Sequence, residues 1–560
     1  MNRDVFLSMA LLSACGVVAR ALAQDATATH KHYESSPEAD QPGPAGELAP
    51  RLQNLGKHVF PVSTKSAKAQ AFVNQGLNLS YGFNHAEAGR AFREAARLDP
   101  NCAMAFWGQA LALGPNINAA MAPEDEPKAY EAAQKALALK SKASARERAY
   151  IEAVAKRYSG KAEDRAALDK AYADAMRDVV KRFPNDLDAA ALLAEALMDL
   201  RPWNYWTGDG RPYPETTEAS AQIQRVLAAN RDHPGALHYW IHLMEAYYPE
   251  RAVEAADRLL PLVPGAGHLV HMPSHIYQRV GRYTDARTAN EKAAQADEEY
   301  IAQCRAQGLY PMAYYPHNVH FIWFAATMEG RSRDAIAAAE KVAQGVSDGA
   351  LKELPLLAGF RVVPYYALAR FGKWDEVLAL PAPPADNLFL KGSWHYARGL
   401  AFTAKGQLAD ADIELATLKK VAEDPALKFN LFSINTGDAI LALAPEMLAA
   451  ELAAKRKDFD AAISHASRAV RLGDGLSYTE PTEYHYPPRQ LLGAVLLEAG
   501  QAREAETVYW EELRRNPDNG WSLFGLAQAL RAQGKDAAPV EARFQKAWAN
   551  ADVTLTASRF

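Results

Sequence analysis

The sequence predicts an all-α protein, a helix-turn-helix solenoid of helix pairs stacked along the chain. Three observations lead there. A pattern of small and aromatic residues returns at fixed offsets from Ala69 to near the C-terminus. Alternating strand-like runs and Asn-Gly hairpins are missing from the sequence. The chain of 560 residues, 49% hydrophobic and 23% charged, is too long for one compact core yet ordinary in composition for a folded protein.

At the N-terminus one Arg precedes the apolar run 5–19, and "ALAQ" offers a small-x-small cleavage site after Ala23. Residues 1–23 read as a signal peptide, so the mature protein is expected to be exported and periplasmic. "LSAC" at 12–15 supplies the alternative, a lipoprotein box that leaves Cys15 lipidated and the protein anchored to a membrane. The run is too short to span a bilayer, so no transmembrane segment is expected. Residues 24–50 are polar and rich in Pro and Gly, a disordered leader. Net charge is −5 and no long basic run occurs, which removes nucleic acid as an expected partner. Cys102 and Cys304, the two cysteines left after cleavage, make no disulfide framework and are expected as buried small residues or free thiols.

The repeat is clearest in "FVNQGLNLSYGFNHAEAGRAFREAARLDP", with Phe72, Gly76, Leu79, Ala88, Phe92, Ala95 and Pro100. It returns in "RQLLGAVLLEAGQAREAETVYWEELRRNP", with Leu492, Gly493, Leu496, Gly500, Ala505, Tyr509 and Pro517. Gly and Ala let two helices approach closely, aromatics fill the wedge to the next pair, and Pro ends the second helix. Further copies carry Gly281 and Ala286, Gly330 and Ala335, Gly372 and Trp374, Gly406 and Ala411, and Phe459 and Ala462. The pattern resembles tetratricopeptide repeats. The reading is an N-terminal array over 51–345 and a C-terminal array over 346–560. Two stretches break the period. Loop 201–218 inserts Trp203, Tyr205, Trp206 and Tyr213 among Gly and Pro, and loop 477–488 inserts "SYTEPTEYHYPP". Each is either a loop laid on neighbouring repeats or a lid over a groove. Together with "CAMAFWGQALALGPNIN" and "RPWNYWTGDGRPYPETTE", the segment "PGAGHLVHMPSHIYQRVGRYTDA" resembles a group of bacterial exported tetratricopeptide proteins, a resemblance that implies the fold and no particular activity.

Seven of the 15 histidines fall between 238 and 320: His238, His242, His268, His271, His275, His317 and His320. With the loop glycines Gly281 and Gly330 as a common reference, His268 and His317 share one register position, and His271 and His320 another. The resemblance places these positions of the first helix on a concave groove. Helix geometry puts i, i+3 and i+7 on one stripe and i, i+4 on one face. Three sets of imidazoles on adjacent first helices are thus expected to converge on one patch. Pro273 counters this, because inside a helix it removes a donor and kinks the axis, and a helix starting at Pro273 would break the stripe.

Convergent imidazoles suit a divalent transition metal, Cu, Zn or Fe. Trp203, Tyr205, Trp206, Glu245, Tyr277 and Tyr315 join them as candidate ligand-binding residues, Glu245 as a carboxylate three positions beyond His242. No catalytic residue is assigned: G-x-S-x-G, H-E-x-x-H and C-x-x-C are all missing. Two functions remain open. One is an exported scaffold that binds a protein, peptide or small ligand in its concave groove, with the His-rich patch as the specific site. The other is a transition-metal-binding protein or metal-dependent enzyme centred on the histidines.

Overall fold

In the computed structural model, residues 41–43, 46–161, 164–304, 310–431 and 434–560 are described. The expected signal peptide 1–23, Cys15 and most of the leader lie outside them. The chain divides into two compact units that interleave along the sequence. The first comprises Met1–Leu243, Pro261–Leu269 and Ala296–Pro311; the second comprises Met244–Leu260, Val270–Gln295 and Met312–Phe560. The position 345/346, where the sequence suggested a division, falls inside the second unit.

The architecture is all-α and of the tetratricopeptide helix-turn-helix type. In the first unit, Ala67–Tyr81 packs on His85–Leu98, Ala103–Leu113 on Glu126–Ala138, and Leu187–Asp199 on Pro214–Ala229. In the second, Tyr315–Met328 packs on Ser332–Gln344, Leu388–Ala404 on Leu408–Ala422, Leu443–Lys455 on Phe459–Asp474, and Pro488–Glu498 on Ala502–Arg515. Three-residue connections make most of the paired helices antiparallel neighbours, while residues 114–125 and 200–213 join the other two pairs. Caps set the starts: Ser66 Oγ accepts from Ala69 N–H, Asn84 Oδ1 from Glu87 N–H, and Ser144 with Glu147 forms a reciprocal capping box. At Gly281 the chain turns with φ +78°, and a Cβ there would stand 2.6 Å from the Pro517 carbonyl oxygen, so only glycine fits.

The motif glycines meet the motif aromatics. A Cβ on Gly76 or Gly108 would fall 2.7 or 2.2 Å from the Phe92 ring. A Cβ on Gly493 or Gly525 would fall 2.4 or 2.2 Å from Tyr509. In both units a ring on the second helix of a pair is clamped between the glycine of its own pair and that of the next.

One local departure from all-helix is a two-residue antiparallel ladder, Asn430 with Thr436 and Leu431 with Asn435, too short to show as an alternating run. Cys102 and Cys304 are both buried free thiols, as expected. Burial pushes the Cys102 thiol up to about 11. Among the described residues no helix is long and apolar enough to cross a membrane.

Candidate metal centres

Pro273 divides the helix that carries three of the histidines. The helix Gly267–His271 stops just before it, and a second helix, Pro273–Arg279, begins with it at the first turn, where its missing N–H costs nothing. Across Pro273 the i, i+4 pair His271 and His275 still shares a face, with Nε2 atoms 2.8 Å apart, whereas His268, on the same helix as His271, joins a different cluster. His268 belongs to the first unit, and His271 and His275 to the second. The seven histidines divide between the two units. Six of them assemble as two triads, one in each unit.

The first triad is His238, His242 and His268. One ring nitrogen from each lies within 4.8 Å of the others, and the residues are 0%, 2% and 2% exposed. His238 and His242 share a face of the helix Pro234–Met244, as i, i+4 spacing requires, with ring centroids 4.8 Å apart. His238 Nδ1 stands 2.6 Å from the Tyr81 carbonyl oxygen, which only accepts, so Nδ1 carries the proton and Nε2 is the electron-pair donor. His268 enters beside Gly267, where a Cβ would collide with Asp297 Oδ1 at 1.8 Å. The Phe83 ring backs all three imidazoles, at centroid distances of 4.5, 5.9 and 5.6 Å.

The second triad is His271, His275 and His317, again with one ligand atom each within 4.8 Å. A hydrogen bond specifies the tautomer of His271. His271 Nδ1 lies 2.6 Å from Asn290 Oδ1. The amide nitrogen of Asn290 donates to the Ala286 carbonyl at 2.7 Å, which turns its oxygen toward the histidine. His271 Nδ1 is therefore a donor. His275 Nδ1 faces two carboxylates, Glu245 at 2.8 Å and Glu480 at 2.9 Å, in ion-pair contact. The two Nε2 atoms are left 2.8 Å from each other. Two bare lone pairs at that distance repel, and a proton or a metal ion between them relieves the repulsion. With the proton there, His275 is an imidazolium. Burial opposes that charge, but the Glu245 and Glu480 carboxylates outweigh it and raise His275 to about 10. Burial pushes the Glu480 carboxyl up to about 7. Phe321 packs against all three rings, at 4.7, 4.8 and 5.0 Å.

His320 stands apart from both triads. On the helix Tyr315–Met328, Phe321 lies one helical turn beyond His317 and takes the side facing His271. His320, one residue earlier, is turned away from it and stacks on Trp323 at 5.0 Å and 6°, edge-on to Phe360. Burial lowers it to about 3, so it is a neutral core residue.

The other expected ligand residues divide. Glu245 lies against His275 of the second triad at 2.8 Å. The Trp203 and His242 rings meet T-shaped with centroids 5.3 Å apart, so loop 201–218 does reach the first triad. Tyr205 is buried, and Trp206 donates its indole N–H to the Leu243 carbonyl at 2.8 Å, a structural bond. Tyr277 donates to Asp257 at 2.8 Å beneath the Arg282 guanidinium, away from the triad. Tyr315 is half-buried under Lys341. Sequence reasoning did not name Glu480 or Asn290. Glu480 comes from loop 477–488, and the break in the repeat was the only signal. Asn290 lies 19 residues after His271, on the second helix of the same repeat.

No family model matches the chain, and no curated protein matches it. Solved structures similar to it include the human IFIT1 dimer with m7Gppp-AAAA, at 11% identity and a TM-score of 0.32, over 87% of this chain and 91% of that one. Yeast Tom70 matches at 16% identity and a TM-score of 0.25, over 87% and 92%. The APC/C hetero-tetramer Cut9-Hcn1 matches at 11% identity and a TM-score of 0.28, over 87% and 95%. Likenesses this loose say nothing about a site or a partner, and the chemistry rests on the triads themselves.

Proposed function

We propose that this is a transition-metal-binding protein whose principal centre is His271, His275 and His317, with a second centre at His238, His242 and His268. One observation carries the reading: the 2.8 Å approach of two imidazole Nε2 atoms whose rings turn Nδ1 to Asn290 and to Glu245 with Glu480. That is the arrangement in which a carboxylate or amide orients a metal-ligating histidine and raises its basicity. An ion bound at about 2 Å from each nitrogen needs ring movements of under an ångström across a 4.8 Å span. A donor set of imidazoles with carboxylates nearby and no thiolate suits Zn, Cu(II) or Fe.

The alternative, an exported scaffold holding a protein or peptide in a concave groove through these histidines, needs them at an open surface. The burial of His238, His242, His268, His271 and His275 favours the metal. The repeat array then serves as the frame that fixes the ligands. Export to the periplasm, read from residues 1–23, remains part of the proposal.

The test is the elemental content of the mature protein, exported into a periplasm and purified without a histidine tag. Near-stoichiometric Zn, Cu or Fe is expected in wild type. The His271→Ala/His275→Ala variant should lose the metal of the second triad, and His238→Ala/His242→Ala that of the first. No metal in any of them, even after metals are added back, ends the proposal.

A further inference from the structure

The first unit holds a cleft of about 920 Å³ that the triads do not use. At its base Asp188 Oδ1 accepts from Tyr81 Oη at 2.7 Å and from His58 Nε2 at 2.8 Å, and stands 3.3 Å from His233 Nε2. The two nitrogens and the carboxylate oxygen are close enough together to suggest a metal site. The tautomer argues against one. His233 Nδ1 accepts the Ala236 N–H at 3.2 Å, where it caps the helix Pro234–Met244, so its ring proton is on Nε2. To ligate through Nε2, His233 would have to shift its proton to Nδ1 and give up the bond from Ala236 that caps the helix.

The same bonds define a different site. Burial works against the Asp188 charge, yet hydrogen bonds from His233 and His58 hold its carboxyl well below the usual range. The carboxylate thus keeps the His58 proton on Nε2 and leaves Nδ1 as the acceptor of that ring. His58 lines the cleft with its side chain 14% exposed. The neighbouring acid, Asp186, is neutralised by Arg146 at 2.6 Å and accepts from Tyr150 at 2.9 Å. Lys57 and Arg182 also line the cleft, both exposed and with no ion pair among the described residues. Val59, 54% exposed, joins Pro184 and Leu262 in an apolar wall. A pocket of this size with an apolar wall and a few convergent polar groups is the usual form of a small-molecule site.

We propose that this cleft binds a small organic acid bearing a hydroxyl group, its carboxylate held by Lys57 and Arg182, its body on the Val59 wall and its hydroxyl donated to His58 Nδ1. The inference is independent of the metal centres.

Calorimetric titration of the full mature protein tests it. The probes are α-hydroxyhexanoate and mandelate, their deoxy counterparts hexanoate and phenylacetate, and the corresponding amides. At least one hydroxy acid is expected to bind saturably, with its amide about tenfold weaker, the loss of a charged hydrogen bond. Lys57→Ala/Arg182→Ala, both surface changes, should weaken the acid by a similar factor and leave the amide unchanged. His58→Gln, with its thermal unfolding checked against wild type, should abolish the preference for the hydroxy acid over its deoxy counterpart. Three results would overturn the proposal: no saturable binding of any acid, equal binding of acid and amide, or unchanged binding in the Lys57→Ala/Arg182→Ala variant. Zinc that binds wild type and is lost in His58→Gln alone would overturn it in favour of a metal site.

Discussion

His275 has both ring nitrogens engaged, Nδ1 with Glu245 and Glu480 and Nε2 with His271. If the carboxylates tune the ring as a ligand, Glu480→Gln keeps the side chain's size and removes its charge. Metal affinity at the second triad should then fall by about 10- to 100-fold, measured by competition with a chromophoric chelator. Affinity within twofold of wild type would count against the centre. His320 makes the opposite case, a histidine kept neutral by burial. Its ordinary value is 6.5 and its folded value about 3. Above pH 6.5 both folded and unfolded chains hold it neutral, and its contribution to stability is fully present. As pH falls below 6.5 the unfolded chain takes up a proton that the folded chain refuses, so stability is lost progressively down to about pH 3. At pH 4 the loss is roughly 3 kcal/mol. His320→Phe should show a smaller fall in Tm between pH 7 and pH 4 than wild type, and an equal fall would show that another group sets the acid limb. Sequence periodicity placed His317 and His320 in the register positions of His268 and His271, on one stripe. It could not see that Trp323 and Phe360 close around one of them and leave the other to the triad.

The paired helices were legible because their rule is local. Gly76, Phe92 and Gly108 stand at the same spacings as Gly493, Tyr509 and Gly525, and both sets form the same clamp. Gly525→Ala should destabilise the second unit by about 1–3 kcal/mol through overpacking against Tyr509, read from urea or thermal unfolding. A neutral result would mean that the ring moves freely, contrary to its burial. Pro273 was legible as a doubt about the stripe, and its outcome, two short helices, follows from the missing N–H. The inserted loops were legible only as interruptions. A loop announces that it leaves the period, but where its side chains land depends on repeats far away in the chain. Trp203 reaching His242 and Glu480 reaching His275 are both such landings.

A metal held by residues from several segments binds the folded chain and not the unfolded one, so its removal should register in the stability of the molecule. Chelation of wild type is expected to lower the apparent Tm, by an amount equivalent to about 4 kcal/mol if the metal is present at a thousandfold its dissociation constant. The His271→Ala/His275→Ala variant should respond less, and an equal response would assign the effect to adventitious ions. The amino-acid sequence alone determined the all-α repeat architecture, the helix pairs and the wealth of histidine between 238 and 320, because helical periodicity and close-contact glycines are set by neighbours within a few dozen residues. Tertiary folding determined the grouping. The chain passes back and forth between two units, so histidines three residues apart, His268 and His271, enter different triads. Carboxylates 235 positions apart, Glu245 and Glu480, meet on one imidazole. Contacts at that separation obey the path of the chain through space, and no local pattern encodes that path.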